Sequence, residues 1–205
     1  ASISVLKKKI LGEKIFHIGP ERDINFFREL EKKNYIRRVP LNEATGIVCT
    51  GLFNEFKETP KDYFKILSFS RQKGLKFLCV NPDIKVNFGD RELWCAGSIA
   101  EIYSKLGGEV LLCGKPHKKI YELTKKKLLK KFNEFSKDIL CIGDGLNTDI
   151  KGGFDQGFET LFVCSGIYKN EIGISKNYPC PEKKQLDFFL KKFKQKPTMT
   201  IGYLK

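Results

Sequence analysis

The sequence predicts an α/β fold built on parallel sheets, and three observations carry this prediction. Short apolar runs, typical of strands buried on both faces, recur along the chain. Most are followed by a segment in which apolar residues return with helical spacing. Gly, Pro, Asn and Asp cluster where the two patterns meet. Regular alternation of strand and helix favours parallel strands covered by helices.

The predicted elements follow in chain order. A strand at 14–18 precedes a helix at 21–32, whose residues Ile24, Phe27 and Leu30 fall on one face. Thr59-Pro60 opens another helix, because proline suits the first helical turn. A helix at 97–106 is closed by Gly107-Gly108. The other predicted strands are 35–39, 46–50, 75–80, 109–113, 138–142 and 159–164, and the other predicted helices are 118–132, 149–156 and 182–193.

Length and composition predict a soluble globular protein. The 205 residues allow one large domain or two small ones, and 41% hydrophobic residues are enough for a core. No apolar run approaches the length of a membrane span, so no membrane partner is expected. Seven cysteines without a Cys-x-x-Cys pair argue against zinc and redox motifs and suit a reducing, cytoplasmic location.

The net charge of +14 comes mainly from lysine. Only six of the 38 basic residues are arginines, and the densest lysine tracts fall in predicted helices, where they form solvated faces. No nucleic-acid-binding motif accompanies the charge, so a nucleic-acid partner is not expected. A weak attraction for small phosphorylated substrates fits the charge better.

The most informative segment is 143–149, which reads Gly-Asp-Gly-Leu-Asn-Thr-Asp. It follows the apolar run 138–142 and places two carboxylates, Asp144 and Asp149, after the carboxyl end of a strand. Open α/β sheets bind ligands at that end, and two carboxylates can hold a hard divalent cation. The alternative is an ordinary strand–helix loop, in which Asp and Thr act as caps.

A second segment strengthens the first. The strand at 109–113 ends in Gly114-Lys115-Pro116-His117, which places a lysine where it can neutralise an anion. Alone, Lys-Pro is usually a solvated turn. A strand followed by Gly-Lys-Pro, and then about thirty residues later by a strand and Gly-Asp-x-x-x-Thr-Asp, is much more specific.

Together these residues resemble the haloacid dehalogenase (HAD) superfamily of phosphatases, and within it subclass IIA, the NagD-like enzymes with a large α/β cap. The resemblance covers most of the chain. It rests on segments 81–83, 95–100, 114–116, 143–149 and 162–167. It implies a Rossmann-like parallel-sheet core, present here in part, with an inserted α/β cap of the C2 type. The implied regions are a lead-in helix at 1–13, the cap at 14–106 and the C-terminal half of the core at 107–205.

The resemblance also implies the roles of site residues. Lys115 would bind the nucleophile and the phosphoryl oxygens, Asp144 would be a ligand of Mg²⁺, and Asp149 would orient metal-bound water or its neighbours. These three residues are the predicted catalytic set, and Mg²⁺ is the predicted cofactor. A homodimer formed through the cap is also compatible with the family.

Three residues of the predicted cap are candidates for substrate binding. Asn81 and Asp83 follow a strand, where they either face substrate or simply form a turn. Ser98 lies at a helix start, where free N–H groups can meet a phosphate, or where the serine only begins the helix.

One family feature is missing from this sequence. The implied mechanism needs an Asp-x-Asp that supplies the nucleophile and the general acid, and none occurs in the 205 residues. Two hypotheses follow. The favoured one is the C-terminal portion of a Mg²⁺-dependent phosphatase that acts on a sugar phosphate, nucleotide or cofactor phosphate through an aspartyl-phosphate. The other is a binding or scaffold protein of the same fold that has lost its nucleophile. Under both, this chain alone is predicted to be inactive.

The spacing of the motifs gives one geometric prediction. Lys115 and Asp144 each follow an apolar strand, and these strands are expected to be neighbours in one parallel sheet. The two side chains are therefore predicted to lie near each other.

Overall fold

A computed structural model describes residues 1–89, 91–133, 138–175 and 177–204. The chain forms two compact units, Ala1–Gly114 and Lys115–Lys205. Each unit has helices and parallel strands, so the predicted α/β class is confirmed. The division falls after Gly114, later than the predicted boundary after residue 106.

The first unit is a parallel sheet covered by helices. Its strands are β1 (Lys14–Ile18), β2 (Arg37–Arg38), β3 (Gly46–Cys49), β4 (Lys76–Cys79), β5 (Lys85–Phe88), β6 (Arg91–Trp94) and β7 (Val110–Leu112). Its helices are α1 (Ser2–Lys7), α2 (Asn25–Lys32), α3 (Phe64–Gln72) and α4 (Ala96–Lys105). The sheet has the order β2-β1-β3-β4-β7 with parallel pairing throughout, and β5 and β6 form an antiparallel hairpin.

The alternation of side chains along a strand explains why both faces of this sheet are covered. Ile47 and Cys49 of β3 pack into one apolar cluster, with Leu67 of α3 and Ile99 of α4. Val48, between them, points to the opposite face and joins a second cluster. That second cluster contains Leu6, Leu11, Phe27 and Leu30, so the lead-in segment 1–13 packs into the first unit. A strand buried on both faces reads as a continuous apolar run, which is why it could be predicted.

Three features of the first unit differ from the sequence prediction. The strand predicted at 109–113 pairs with β4, Val110 lying opposite Phe77, and so belongs to the first sheet. The strand predicted at 35–39 shortens to Arg37–Arg38. The β5–β6 hairpin was not predicted, because its sequence is rich in polar residues.

The second unit contains a smaller parallel sheet. Its elements are α5 (Lys118–Phe132), β8 (Leu140–Gly143), α6 (Lys151–Phe154), β9 (Glu159–Val163), α7 (Lys169–Ile172), α8 (Lys183–Leu190) and β10 (Met199–Ile201). The strand order is β10-β9-β8. Phe162 of β9 packs with Ile150, Ile172 and Phe189 in the main apolar cluster of this unit. The strand β10 and the short helix α7 were not predicted.

The strand β8 has an open edge in the part of the chain that the structure describes. It pairs with β9 on one side only. Its apolar side chains Leu140 and Ile142 are 41% and 49% exposed. The helix α5, which follows the Gly-Lys-Pro segment, buries none of its residues. A parallel strand is normally covered on both faces, so the apolar surface around β8 is incompletely covered in this chain.

The helices and the cysteines agree with what the composition led us to expect. Over the described residues, every helix is too short or too polar to cross a bilayer. All seven cysteines are free thiols, and five of them are buried. Burial raises the pKa of the Cys79 thiol to about 12, which suits a small core side chain rather than a reactive group.

Candidate active site

The loop after β8 turns one of its two carboxylates inward. β8 ends at Gly143, and residues Leu146–Ile150 form a π-helical turn that leads into α6. Asp149 lies in this turn, and its Oδ2 accepts a hydrogen bond of 3.1 Å from the N–H of Gly145. A Cβ atom on Gly143 would lie 2.2 Å from Cγ of Asp149, so only glycine allows this approach. π-Helical turns of this kind are often found at functional sites.

Lys115 reaches this inward carboxylate. Its Nζ lies 2.5 Å from Oδ1 of Asp149, although the two residues are 34 positions apart. The Asp149 side chain is 10% exposed, whereas that of Lys115 is 49% exposed. The carboxylate thus holds an ammonium group that stays accessible to a ligand from solvent.

The pairing differs in detail from the geometric prediction. Lys115 was expected near Asp144, and it is Asp149 that holds it. The prediction assumed that the strands before Lys115 and Asp144 are neighbours in one sheet. That assumption is wrong, because β7 belongs to the five-stranded sheet and β8 to the three-stranded one. Lys115 nevertheless belongs to the same unit as the Gly143–Asp149 loop, and its side chain meets that loop directly.

Asp144 is held by a different loop. Its Oδ2 accepts a hydrogen bond of 3.1 Å from the N–H of Ile167, beyond the end of β9. A Cβ atom on Gly166 would lie 2.1 Å from the same oxygen, so the glycine is needed for this contact. The segment 162–167 carried part of the resemblance without a stated role, and its Gly166 is the residue from which a close contact could have been inferred.

A hollow beside β8 adjoins the Lys115–Asp149 pair. It has a volume of about 320 Å³ and is lined by both residues, by Tyr121 of α5 and by Ile142 of β8. Burial raises the pKa of the Tyr121 hydroxyl to about 12, and the nearby Cys141 and Asp149 add to the rise. Tyr121 therefore stays protonated at neutral pH. Sequence reasoning gave it no role, because nothing local marks it out.

The donor set of the loop fits magnesium only in part. Among the described residues, His, Cys, Asp and Glu form no group of three that could hold a metal ion. Asp149 is already engaged by Lys115 and Gly145, which leaves Asp144 as the better ligand. Magnesium is commonly held by one or two carboxylates together with waters and phosphate oxygens. Asp144 is thus suited to be one ligand of a site completed by other oxygens.

The three residues predicted to bind substrate lie in the first unit. Asn81 lines a cavity of about 500 Å³, and its Oδ1 accepts the N–H of Asp83 at 3.4 Å. Ser98 is buried, and its hydroxyl donates to the carbonyl oxygen of Cys95 at 2.6 Å. That bond favours the role of a helix-start residue for Ser98. The cavity position of Asn81 leaves its side chain near a ligand that would occupy the space.

Known proteins resemble both the sequence and the structure. A family model described as HAD-hydrolase-like matches residues 112–193. Dihydroxyacetone phosphatase of Corynebacterium glutamicum (strain R) is 33% identical over 95 residues, which cover 46% of this chain and 33% of that protein. The ribonucleotide monophosphatase NagD of Escherichia coli (strain K12) is 32% identical over 95 residues, covering 46% of this chain and 35% of that protein. This chain thus spans about a third of the length of these two curated relatives.

A solved structure covers nearly the whole chain. It is a hydrolase of the haloacid dehalogenase-like family from Brucella suis 1330. Its TM-score is 0.78 at 35% sequence identity, and the match covers 98% of this chain and 70% of the other. The Gly-Lys-Pro and Gly-Asp-x-x-x-Thr-Asp segments both lie within the region that the family model matches. The chain belongs to the haloacid dehalogenase-like hydrolase family, in its NagD-like subclass.

Proposed function

We propose that this chain supplies the cap and the C-terminal half of the core of a Mg²⁺-dependent phosphate monoester hydrolase. The observation that carries the proposal is the ion pair between Lys115 and Asp149. Asp149 lies after the carboxyl end of β8, on the same loop as Asp144. An accessible ammonium beside a carboxylate that can bind a metal is suited to the charge of a transferring phosphoryl group.

Each residue of the site then has a role. The ammonium of Lys115 binds the phosphoryl oxygens and stabilises the negative charge that spreads over them. Asp149 fixes the position of that ammonium through their ion pair. Asp144, oriented by the Ile167 N–H, contributes a carboxylate ligand to Mg²⁺. When bound, the ion would neutralise charge on the phosphate.

In this proposal the nucleophile comes from outside these 205 residues, which contain no Asp-x-Asp. In the proposed reaction the first aspartate of the Asp-x-Asp attacks phosphorus, and the P–O bond to the substrate breaks as the second aspartate protonates the leaving alcohol. Water then hydrolyses the aspartyl-phosphate, giving its proton back to that second aspartate and releasing inorganic phosphate. The open edge of β8 supports this proposal. A parallel strand paired there would hydrogen-bond with the open backbone edge of β8, and its carboxyl end would lie beside Gly143.

The names of the relatives indicate the range of substrates. One acts on dihydroxyacetone phosphate and another on ribonucleotide monophosphates. We accordingly propose a small phosphorylated substrate. We also propose a cytoplasmic location, since seven free thiols suit a reducing compartment. A homodimer formed through the cap is the assembly to be tested.

The decisive experiment compares two polypeptides. One is the 205-residue chain, and the other extends upstream through an Asp-x-Asp segment. Hydrolysis of 4-nitrophenyl phosphate is measured with Mg²⁺ and with a chelator. We expect turnover only from the extended polypeptide, and only without chelator. In it, Lys115→Ala should lower kcat/KM by about 100-fold or more, as removal of a charge-stabilising group does.

Matched variants separate this role from a general effect of charge. Lys118→Ala removes a neighbouring lysine that pairs with Glu122 on the surface of α5, and Asp155→Asn removes an aspartate that pairs with Lys151. Both should leave turnover within about twofold, since surface substitutions seldom matter. Chelator-sensitive turnover by the 205-residue chain alone would contradict the proposal. An extended polypeptide that binds Mg²⁺ but hydrolyses nothing would favour the scaffold hypothesis.

A further inference from the structure

The ion pair of the candidate site joins the segments that lead into two helices. Lys115 precedes α5, which begins at Lys118, and Asp149 precedes α6, which begins at Lys151. The geometry of the pair therefore depends on how firmly α5 is held against α6. Helix α5 buries none of its residues, so its place must be set by a small number of partly exposed side chains.

Tyr121, in the first turn of α5, packs directly on α6. A Cβ atom on Gly152 would lie 1.9 Å from the hydroxyl oxygen of Tyr121 and 2.7 Å from its Cζ, so the ring rests against bare backbone. Any larger residue at position 152 would displace the ring. Gly152 lies in the turn that follows Asp149, and Tyr121 lies shortly after Lys115. The contact thus joins the same two segments as the ion pair, about one helical turn further along each helix.

Neighbouring contacts keep the Tyr121 ring in this place. The rings of Tyr121 and Phe158 lie 6.4 Å apart between centroids, inclined at 55°. Lys125 follows Tyr121 on the same face of α5, and its ammonium lies 4.9 Å from the centroid of the Phe158 ring and 3.4 Å from Oε1 of Gln156. Gln156 and Phe158 belong to the loop between α6 and β9. One row of side chains on α5 therefore docks this helix on the α6 region.

We propose that Tyr121 is a positioning residue for Lys115. Its ring, resting on Gly152, sets the distance and the register of α5 against α6, and so holds the Lys115 ammonium at the carboxylate of Asp149. The ion pair by itself is weak, because the Lys115 side chain is half exposed. The consequence for catalysis rests on the proposed function, whereas the placement of Lys115 is a property of the second unit alone.

This placement can be measured on the 205-residue chain without any reaction. Carbon relaxation of the lysine ε-methylene groups, followed by NMR, gives an order parameter for each lysine side chain. In the wild-type chain Lys115 should be more ordered than Lys118, whose side chain is 76% exposed. In Tyr121→Ala the order parameter of Lys115 should fall to the value of Lys118. Tyr121→Phe keeps the ring and should preserve the order. Phe132→Ala, which removes an exposed ring from the far end of α5, is the matched control and should change nothing.

Gly152→Ala tests the same contact from α6. Its methyl group would drive the Tyr121 ring away, so the order parameter of Lys115 should fall as it does in Tyr121→Ala. In the variant that carries both substitutions no ring remains to be displaced. Its order parameter should therefore be no lower than that of Tyr121→Ala alone, because the two residues act through one contact. Thermal melting followed by circular dichroism confirms that each variant is folded at the temperature of the measurement.

The catalytic consequence is tested in the polypeptide extended through the Asp-x-Asp. Tyr121→Ala should lower kcat by about 10- to 100-fold, since a misplaced charge-stabilising group costs about that much, and should leave KM within about twofold. When Lys115 is already replaced by alanine, Tyr121→Ala should lower kcat no further, because it acts through Lys115. A merely structural role would lower the yield of folded protein equally in both backgrounds.

Two results would overturn the inference. One is an order parameter of Lys115 that is the same in Tyr121→Ala as in the wild-type chain. The other is a fall in kcat on Tyr121→Ala that is equally large with and without Lys115, since Tyr121 would then act by another route. Failure of the proposed function looks different. If the extended polypeptide hydrolyses no phosphate, the order parameters still decide whether Tyr121 positions Lys115.

Discussion

Replacement of Asp149 separates the two interactions that its carboxylate makes. Oδ1 pairs with Lys115, and Oδ2 accepts the N–H of Gly145, a buried residue. Asp149→Asn keeps an oxygen that can accept from Gly145 but removes the negative charge. Asp149→Ala removes both interactions and leaves the Gly145 N–H without its partner. The difference between the variants therefore isolates the hydrogen bond from the ion pair.

The structure sets the size of each effect. Because the Lys115 side chain is half exposed, the ion pair should contribute no more than about 1 kcal/mol. A buried N–H that loses its acceptor costs about 1 to 3 kcal/mol. Asp149→Asn should therefore be mild, and Asp149→Ala should destabilise the loop by about 1 to 3 kcal/mol more.

Amide hydrogen exchange measures this difference at the residue concerned. A loss of about 1 to 3 kcal/mol corresponds to exchange of the Gly145 amide that is about 5 to 150 times faster in the Ala variant than in the Asn variant. Lys115→Met should be more destabilising than Asp149→Asn, because it leaves the 10% exposed carboxylate of Asp149 charged and without the ammonium that balances it. Equal exchange rates in Asp149→Asn and Asp149→Ala would refute the reasoning, because the Gly145 hydrogen bond would then contribute nothing to the loop.

Two further predictions concern pH and association. Burial, aided by the positive charge of Arg38, lowers the pKa of His17 in the folded protein to about 4. In the unfolded chain the same imidazole has a pKa of about 6.5, so it takes up a proton at a higher pH there than in the folded protein. The free energy of unfolding should therefore fall by about 1 to 2 kcal/mol between about pH 6.5 and 4, after allowance for the partial exposure of the ring. The variant His17→Gln should not show this part of the fall. Urea titrations followed by tryptophan fluorescence measure the free energy of unfolding of both proteins. If both proteins lose stability equally, His17 does not carry the effect. The exposed apolar edge of β8 should make the isolated chain associate, and a charge there in Ile142→Lys should shift light-scattering masses towards the monomer. Ile3→Lys, at an exposed isoleucine of α1, is the control and should change nothing; equal masses for all three proteins would count against association through β8.

The sequence determined the fold class and most of the strands. Strands β3 and β4 are buried on both faces, so they read as unbroken apolar runs that chance seldom produces. The loop 143–149 was recognisable because its glycines and carboxylates are required by local geometry, as the approach of Asp149 to Gly143 shows. Such requirements act between residues that are close in sequence, so they can be recognised from the residue types alone.

The elements that the sequence did not reveal are those with little local signal. The β5–β6 hairpin has exposed, polar positions and is defined by cross-strand pairing, so it lacks the apolar run of a buried strand. The strand β10 is exposed throughout and is recognisable only by its pairing with β9. Hydrogen bonds to the distant β9 decide the conformation of β10, whereas the hairpin is decided by pairing between the neighbouring segments β5 and β6.

The choice of carboxylate for Lys115 was decided by tertiary structure alone. Local sequence offers both Asp144 and Asp149, and Asp144 was the predicted neighbour. The π-helical turn points Asp149 inward, where its carboxylate accepts the Gly145 N–H. The carboxylate of Asp144 instead accepts the N–H of Ile167, in the loop after β9. The strand at 109–113 was predicted to lie beside β8, and tertiary structure pairs it with β4 instead, because an apolar run can pair with either of two parallel edges. Residue types fix which groups are available, and only the packing of distant segments fixes which of them meet.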